Sequence, residues 1–274
     1  MSSKVDTNEL ERKLQRLEVE NLNLKKQLEQ VEKDRIQYLQ NVSHQLVAPL
    51  NAIKWHIENL TEARIGIERA KKVLRSIYSQ ATLLVHLAKN FNLMSNLETE
   101  HSLAALKEPL QDVELCRQLI NLADDFQPLA WDKNVQIKVE YEDFEKAPAI
   151  LAIKPLILQV FSNIIENAVK YSNENTTIKI TGTYSKNSDT VSVQIRNRGI
   201  GIPADHLVTI FNRGIRTPEA QCMYPAGTGF GLYIAKRIVE VHEGELSAQM
   251  DGLWTVFKIK LNVDSLKGRA RYRG

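Results

Sequence analysis

Apolar residues keep three different rhythms along the 274-residue chain. From Leu10 to Val31 the rhythm is a heptad, with Leu10, Leu17, Leu24 and Val31 at d and Leu14, Asn21 and Leu28 at a. Leucine at d with one asparagine at a predicts a parallel two-stranded coiled coil, because buried asparagines pair in only one register. The flanks agree: Lys13 at g would face a partner's Glu18 at e, and Glu20 would face Lys25. A single amphipathic helix packed on its own chain is the alternative; three clean heptads with matched flanks favour the dimer. Past Val31 the next a-like residue, Ile36, comes five positions on instead of four, a phase break that changes the supercoil locally.

A second rhythm, in steps of three and four, joins Ile36, Leu39, Leu46, Leu50, Ile53, Ile57 and Leu60. It predicts an amphipathic helix ending near Leu60, bent where Pro49 removes a backbone donor. Thr61 and Gly66 mark a connection over 61–67. A second helix follows over 68–97, with Val73, Leu74, Ile77, Leu84, Leu87, Phe91 and Met94 on its apolar side. Two antiparallel helices cannot bury both stripes alone, whereas two copies of the pair make a four-helix bundle.

After residue 98 the pattern turns mixed. Strand-like runs cover 110–115, 135–141, 176–185, 190–197, 245–250 and 253–261; helical runs cover 116–131, 155–172 and 229–242. Asp251-Gly252 is a hairpin signal between the last two strands. Strands and helices in this order predict an α+β sandwich with helices on one face.

Composition adds exclusions. Hydrophobic content of 43% and charged content of 25% belong to an ordinary globular chain, and a net charge of +3 is too small to imply a nucleic-acid partner. No apolar run reaches the length of a membrane span, and no secretory signal opens the chain. Cys116 and Cys222 lie far apart without metal-type spacing, as expected of free thiols in a reducing cytoplasm. The basic residues of 267–274 predict a disordered tail.

Four stretches carry candidate chemistry. His44 falls beside the apolar seam, in Ser43-His44-Gln45-Leu46-Val47-Ala48-Pro49-Leu50; alone, it reads as a solvated surface histidine. Asn163, Asn167 and Lys170, in steps of four and three, share a helix face bordering solvent, next to an apolar stripe of Ile157, Phe161, Ile164 and Ala168. Amide oxygens there suit Mg²⁺, and an ammonium can offset phosphate charge. Asn197-Arg198-Gly199-Ile200-Gly201-Ile202 follows a strand, and its glycines let backbone approach a ligand. Gly227-Thr228-Gly229-Phe230-Gly231-Leu232 opens a helix, where free amides and the helix dipole favour phosphate. Between the loops, residues 213–226 read as a lid.

Taken together and in this order, these stretches resemble sensor histidine kinases. The first is similar to the family's phospho-acceptor box, Ser-His-Glu-Leu-Arg-Thr-Pro-Leu: Ser43, His44, Leu46, Pro49 and Leu50 match, while Gln45, Val47 and Ala48 depart. The second matches the asparagine box through Asn163, Asn167, Ala168, Lys170 and Tyr171. The third is similar to the loop whose acid accepts the adenine amino group, with Asn197 in place of the acid. The fourth matches the second glycine loop, Arg216 falls where the family keeps an arginine, and Gly214 stands where a second phenylalanine is usual.

The resemblance implies a coiled coil and dimeric four-helix bundle followed by an ATP-binding sandwich of the Bergerat (GHKL) type. It divides the chain into 1–35 (leader and coiled coil), 36–98 (dimerisation and phospho-acceptor hairpin), 108–263 (ATP-binding domain) and 264–274 (tail). It implies ATP and Mg²⁺ as cofactors, with Asn163 on the metal. Asn167, Lys170, Tyr171, Asn197, Gly199, Gly201, Arg216, Gly227, Thr228, Gly229, Gly231 and Leu232 would lie around the nucleotide. His44 would take the γ-phosphoryl group, with Gln45 and Lys170 assisting, and pass it to an aspartate of a response-regulator receiver domain. A homodimer in the cytoplasm is expected, with an upstream sensor domain outside this chain. Gln45 holds a ring N–H but accepts no proton, and Ala48 cannot place a water, so a slow kinase with little phosphatase activity is expected. A degenerate scaffold and a GHKL-type ATPase are the alternatives.

Overall fold

A computed structural model describes residues 2–62, 66–99, 109–225 and 227–264. The predicted basic tail lies outside the described residues, apart from Asp264. The chain divides into two compact units, Met1–His44 and Gln45–Gly274.

Helix α1 spans Ser2–Glu62, running through the expected phase break and through Pro49. Within the first unit, Leu17, Leu24 and Leu28 of the heptad seam are all more than half exposed in the single chain. The side chains of Leu10, Leu14 and Val31 lie outside the described residues.

In the second unit, α2 spans Ile67–Thr99 and returns beside the end of α1. The His56 ring and the Ser76 hydroxyl, 2.9 Å apart, join the two helices. Ile57 and Leu74 of the two apolar stripes stay exposed, as do Tyr78 and Val85 outside them, so the hairpin leaves part of its apolar surface uncovered. Nothing in the local pattern hints at the other surface α2 uses. Tyr78 donates to Asp125 (3.3 Å), and the Arg75 guanidinium lies 5.0 Å from the Trp131 ring, so α2 also packs on the α+β region that follows it.

That region begins with β1 (Gln111–Val113) and α3 (Leu115–Ala130), followed by β2 (Gln136–Glu140), β3 (Ile150–Ala152) and α4 (Lys154–Tyr171). The hairpin β4 (Thr177–Ser185) and β5 (Thr190–Arg198) comes next. Short helix α5 (Pro218–Met223), helix α6 (Gly231–Val241) and the hairpin β6 (Glu245–Asp251) and β7 (Trp254–Asn262) complete it. The main sheet has the order β2-β4-β5-β7-β6, and β1 pairs with β3 apart from it. Strict alternation puts Ile178 and Ile180, then Val191, Val193 and Ile195, on the buried face. Phe161, Ile164 and Ile165 of α4 and Ile234 and Ile238 of α6 complete the core. The expected α+β sandwich is therefore present.

Three departures have physical reasons. Strand β3 has only three residues, too short for a period to show. Strand β2 pairs parallel to β4, a partnership set by the crossover between them and not by local pattern. The last hairpin turns at Gly252-Leu253, one residue later than the dipeptide signal; only Gly252 has positive φ (57°), as a type II′ turn requires.

His242, at the end of α6, ties the layers together. Its Nε2 accepts from the Ile153 amide (3.1 Å), so its proton sits on Nδ1, which donates to the Ile238 carbonyl (2.8 Å). Burial holds its pKa below the ordinary histidine value, against a smaller opposing effect of the bond to Ile238. A second proton would set two donors face to face at Ile153. Stability from the neutral ring is therefore complete above the unfolded pKa of about 6.5 and is lost as pH falls through the lower folded value. Denaturant midpoints should drop between pH 7.5 and 5.5, and His242→Leu should lower stability at pH 7.5 while flattening that dependence. A wild-type midpoint equal at both pH values contradicts this role.

Candidate functional site

One cavity gathers most of the residues singled out in the sequence. Asn163, Asn167, Lys170 and Tyr171 reach it from α4; Asn197 and Gly201 line it at the end of β5. Arg216, Gly227, Thr228, Gly229, Gly231 and Leu232 close the remaining side. Gly199 is not among the residues that line the cavity. His44 is an exposed residue of α1 in the first unit, and the side chain of Gln45 lies outside the described residues.

The asparagine row borders solvent only in part: Asn167 and Lys170 are half-buried, and Asn163 is not exposed as expected. Asn163 is buried, because α2 lies over α4 and brings Leu87 and Asn90 to the cavity. The Asn163 amide nitrogen donates to the Gly231 carbonyl (3.0 Å), joining α4 to the start of α6. Its oxygen accepts from Asn90 (2.8 Å) and from Gln159 (3.1 Å). An uncharged amide oxygen is a hard donor suited to Mg²⁺, and among the described residues no His, Cys, Asp and Glu cluster offers a rival metal site. Asn163 thus fits the implied ion in chemistry, with its oxygen already hydrogen-bonded.

At the other end of α4, Lys170 lies 3.7 Å from Glu166 and 5.4 Å from the centre of the Tyr224 ring. Tyr224 meets Tyr171 edge to face, with ring centres 5.8 Å apart. Lys133 caps the helix by donating to the carbonyls of Lys170 (2.5 Å), Ser172 (3.3 Å) and Val169 (3.4 Å). Cations at a helix C-terminus are favoured by its dipole, and here one ammonium also satisfies carbonyls that the helix leaves open.

The orientation of Asn197 follows from Ser172. The Ser172 hydroxyl donates to the Ala168 carbonyl at 2.6 Å, so toward Asn197 it is an acceptor. The Asn197 amide nitrogen faces it at 3.4 Å. That leaves the Asn197 oxygen as the end available to the cavity, the polarity an adenine amino group needs. Gly199 packs on the Tyr171 carbonyl, and Gly201 takes a φ of 73°.

The described residues of the lid are tied together by hydrogen bonds. Thr217 caps α5 by accepting from the Ala220 amide at 3.2 Å. Arg216, expected at the nucleotide, donates to the carbonyls of Gly227 (2.9 Å), Pro225 (3.1 Å), Ala220 (2.5 Å) and Tyr224. Its guanidinium stitches the lid into a closed turn while lining the cavity. A Cβ at Gly214 would meet nothing within 4 Å, but the φ of 72° makes any L side chain there, a phenylalanine included, strained. Helix α6 begins at Gly231, two residues later than expected, because Gly229 is left-handed (φ 70°) and cannot belong to it.

Sequence reasoning missed Gln159, Ser172, Glu166, Lys133 and Asn90. Gln159 extends the row of Asn163 back by one turn, and Ser172 directly follows the motif, so both leave a faint signal. Lys133 and Asn90 come from other elements and leave none.

Residues 152–265 match the family described as histidine kinase-, DNA gyrase B-, and HSP90-like ATPase. The chain is 28% identical over 224 residues to a probable sensor protein PcoS of Escherichia coli, covering 82% of this chain and 46% of that one. It is 29% identical over 237 residues to the sensor protein VanS of Enterococcus faecium (85% and 58%). It is 28% identical over 225 residues to the histidine protein kinase SaeS of Staphylococcus epidermidis (81% and 61%). It therefore spans about half to three-fifths of the length of these relatives. The fold is similar to the Acinetobacter baumannii histidine kinase AdeS (TM-score 0.50, 16% identity, 81% of this chain and 98% of that one). It is also similar to histidine kinase ThkA in complex with response regulator protein TrrA (TM-score 0.52, 20% identity, 86% and 65%). With its motif residues gathered around one cavity, the chain is similar to sensor proteins and histidine protein kinases along four-fifths of its length, and its residues 152–265 match the ATPase family that histidine kinases share with DNA gyrase B and HSP90.

Proposed function

We propose that the chain is an ATP-dependent protein-histidine kinase that phosphorylates His44 and passes the group to an aspartate on a response-regulator receiver domain. The observation that carries this reading is the meeting of the asparagine row and both glycine stretches at one cavity. The Asn197 oxygen accepts from the adenine amino group. Backbone amides of 227–231 and the start of α6 hold the phosphates. Lys170, with Glu166 beside it, adds charge at that end. Asn163 would hold Mg²⁺, which when bound offsets charge on the phosphate oxygens.

His44 attacks through the ring nitrogen that carries no hydrogen. The nitrogen–phosphorus bond forms as the bond to the leaving ADP oxygen breaks, and the ring sheds its remaining N–H proton afterwards. Neutral imidazole is nucleophilic near pH 7, so no strong base is needed. Alignment and charge neutralisation are what such a transfer requires of the protein.

The partner of the first unit is a second copy, through the exposed seam of Leu17, Leu24 and Leu28 around Asn21. Among the described residues no helix is long and apolar enough to cross a membrane. Reaction in the cytoplasm fits ATP use and two free cysteines. Support for a receiver-domain partner comes from the likeness to ThkA, a histidine kinase solved with the response regulator protein TrrA bound.

The test is incubation with γ-labelled ATP, followed by addition of a receiver domain. Label on the protein that is lost in acid, kept in alkali and transferable to an aspartate supports the reading. Phosphate released to solvent with none on the protein supports a GHKL-type ATPase instead; neither outcome, with nucleotide unbound, supports a scaffold.

Asn197 sets adenine affinity. A charged acceptor makes a stronger hydrogen bond than an amide oxygen, so Asn197→Asp should tighten ATP by about 1–2 kcal/mol in calorimetry. Unchanged or weaker binding removes Asn197 from the base.

A further inference from the structure

Two helices compete for one oxygen. An amide oxygen has two lone pairs, and both on Asn163 are in use: Asn90 of α2 donates at 2.8 Å and Gln159 of α4 at 3.1 Å. Gln159 also donates to the Asn90 oxygen at 2.9 Å, which holds the Asn90 nitrogen toward Asn163. Asn163 cannot turn its amide over. Its nitrogen is bound to the Gly231 carbonyl at 3.0 Å, and a turned amide would set N–H groups against those of Asn90 and Gln159. Gln159 and Asn163 are both buried, so water does not replace a lost partner freely.

An Mg²⁺ ion sits about 2.0–2.1 Å from its oxygen ligands and takes a lone pair outright. Gln159 is four residues from Asn163 on the same helix and keeps its bond while the ion uses the other lone pair. Asn90 belongs to a different helix, 73 residues away in sequence. Its donor is the one that must leave.

The geometry points to Asn90 as a competitor for the metal-bearing oxygen: seating α2 on α4 and binding of metal–nucleotide exclude one another at Asn163. Asn90 is a positioning residue in this account and touches no reacting atom. The coupling is reciprocal, so metal–nucleotide must loosen α2 by the same factor by which α2 weakens metal–nucleotide. The inference rests on the proposed nucleotide site with Asn163 at the metal, and goes beyond it by placing a residue of the helical hairpin in control of metal access.

The test uses the full chain, with ADP titrated by calorimetry once with Mg²⁺ and once with EDTA. Losing one neutral hydrogen bond changes an equilibrium by about 3–10-fold. Asn90→Ala should therefore tighten Mg·ADP about 3–10-fold and leave metal-free ADP within about twofold. Asn90→Leu, which keeps bulk and loses the donor, should do the same. Hydrogen exchange in residues 84–92 of the wild type should rise with Mg·ADP and not with ADP in EDTA. Equal tightening with and without Mg²⁺ means α2 obstructs the nucleotide as a whole, and overturns the inference. So does an unchanged Mg·ADP affinity, or an effect of alanine absent in leucine. If ADP binds the wild type under neither condition, the reading of the cavity fails first and the inference falls with it.

Discussion

His44→Gln is expected to abolish phosphorylation of the chain by γ-labelled ATP while nucleotide affinity stays within about twofold. Glutamine keeps size and polarity and lacks a nucleophilic nitrogen, so the chemical step loses its acceptor entirely. The chain has six histidines, and the surroundings of His242, His56 and His206 explain why those three should not substitute. His242 is buried with both ring nitrogens engaged. His56 bonds to Ser76, and its other ring nitrogen is buried without a partner. His206 pairs with Asp205 at 3.0 Å. His101 and the side chain of His86 lie outside the described residues. His44 is exposed, and Ser43 beside it turns its hydroxyl back to the Leu39 carbonyl at 2.9 Å, leaving the ring unobstructed by that neighbour. Label persisting in the variant at more than a few per cent of wild type, mapped to any other histidine, sinks the assignment.

The regular elements were legible because their periods were long enough to count. The nine-residue strands β4 and β5 alternate without a slip, and α4 shows one unbroken apolar stripe. What stayed hidden was contact between distant segments. The parallel pairing of β2 with β4 and the seating of α2 on α3 and α4 depend on how elements meet, which no local period encodes.

The same division holds in the site. Motif residues on α4 and in the glycine loops could be singled out by local spacing and by resemblance, and they line one cavity. Asn90, Lys133 and the carbonyls around Arg216 could not. Each acts through a hydrogen bond to a partner that only the fold supplies. Arg216 shows the limit well: its position was legible, but its task in this structure is to hold the lid's own backbone. Asn163 shows it again, since a residue placed on a solvent-bordering face is buried beneath a helix from another part of the chain.

Gly199→Ala is expected to be the most damaging small substitution in the ATP-binding region. An added Cβ would lie 1.8 Å from the Tyr171 carbonyl oxygen, a backbone atom that cannot swing aside. That carbonyl also accepts from the Ile200 amide at 3.2 Å, and Asn173 donates to the Arg198 carbonyl at 2.9 Å. The first glycine stretch is thus sewn to the end of α4 on both sides of Gly199, and relief requires separating the two. Overpacking of this kind costs about 3 kcal/mol, or a melting temperature lower by roughly 6–12 °C in a domain of this size. The separation also moves Asn197 away from Ser172, so ATP affinity should fall at least about tenfold, as a lost buried acceptor implies. Gly214→Ala is the comparison: it meets nothing within 4 Å and is strained only by its φ of 72°, so it should cost about 1–2 kcal/mol. Calorimetric melting and ATP titration of both variants decide the matter. If Gly199→Ala binds ATP like the wild type, or melts no lower than Gly214→Ala, the close approach to Tyr171 does not hold the loop in place.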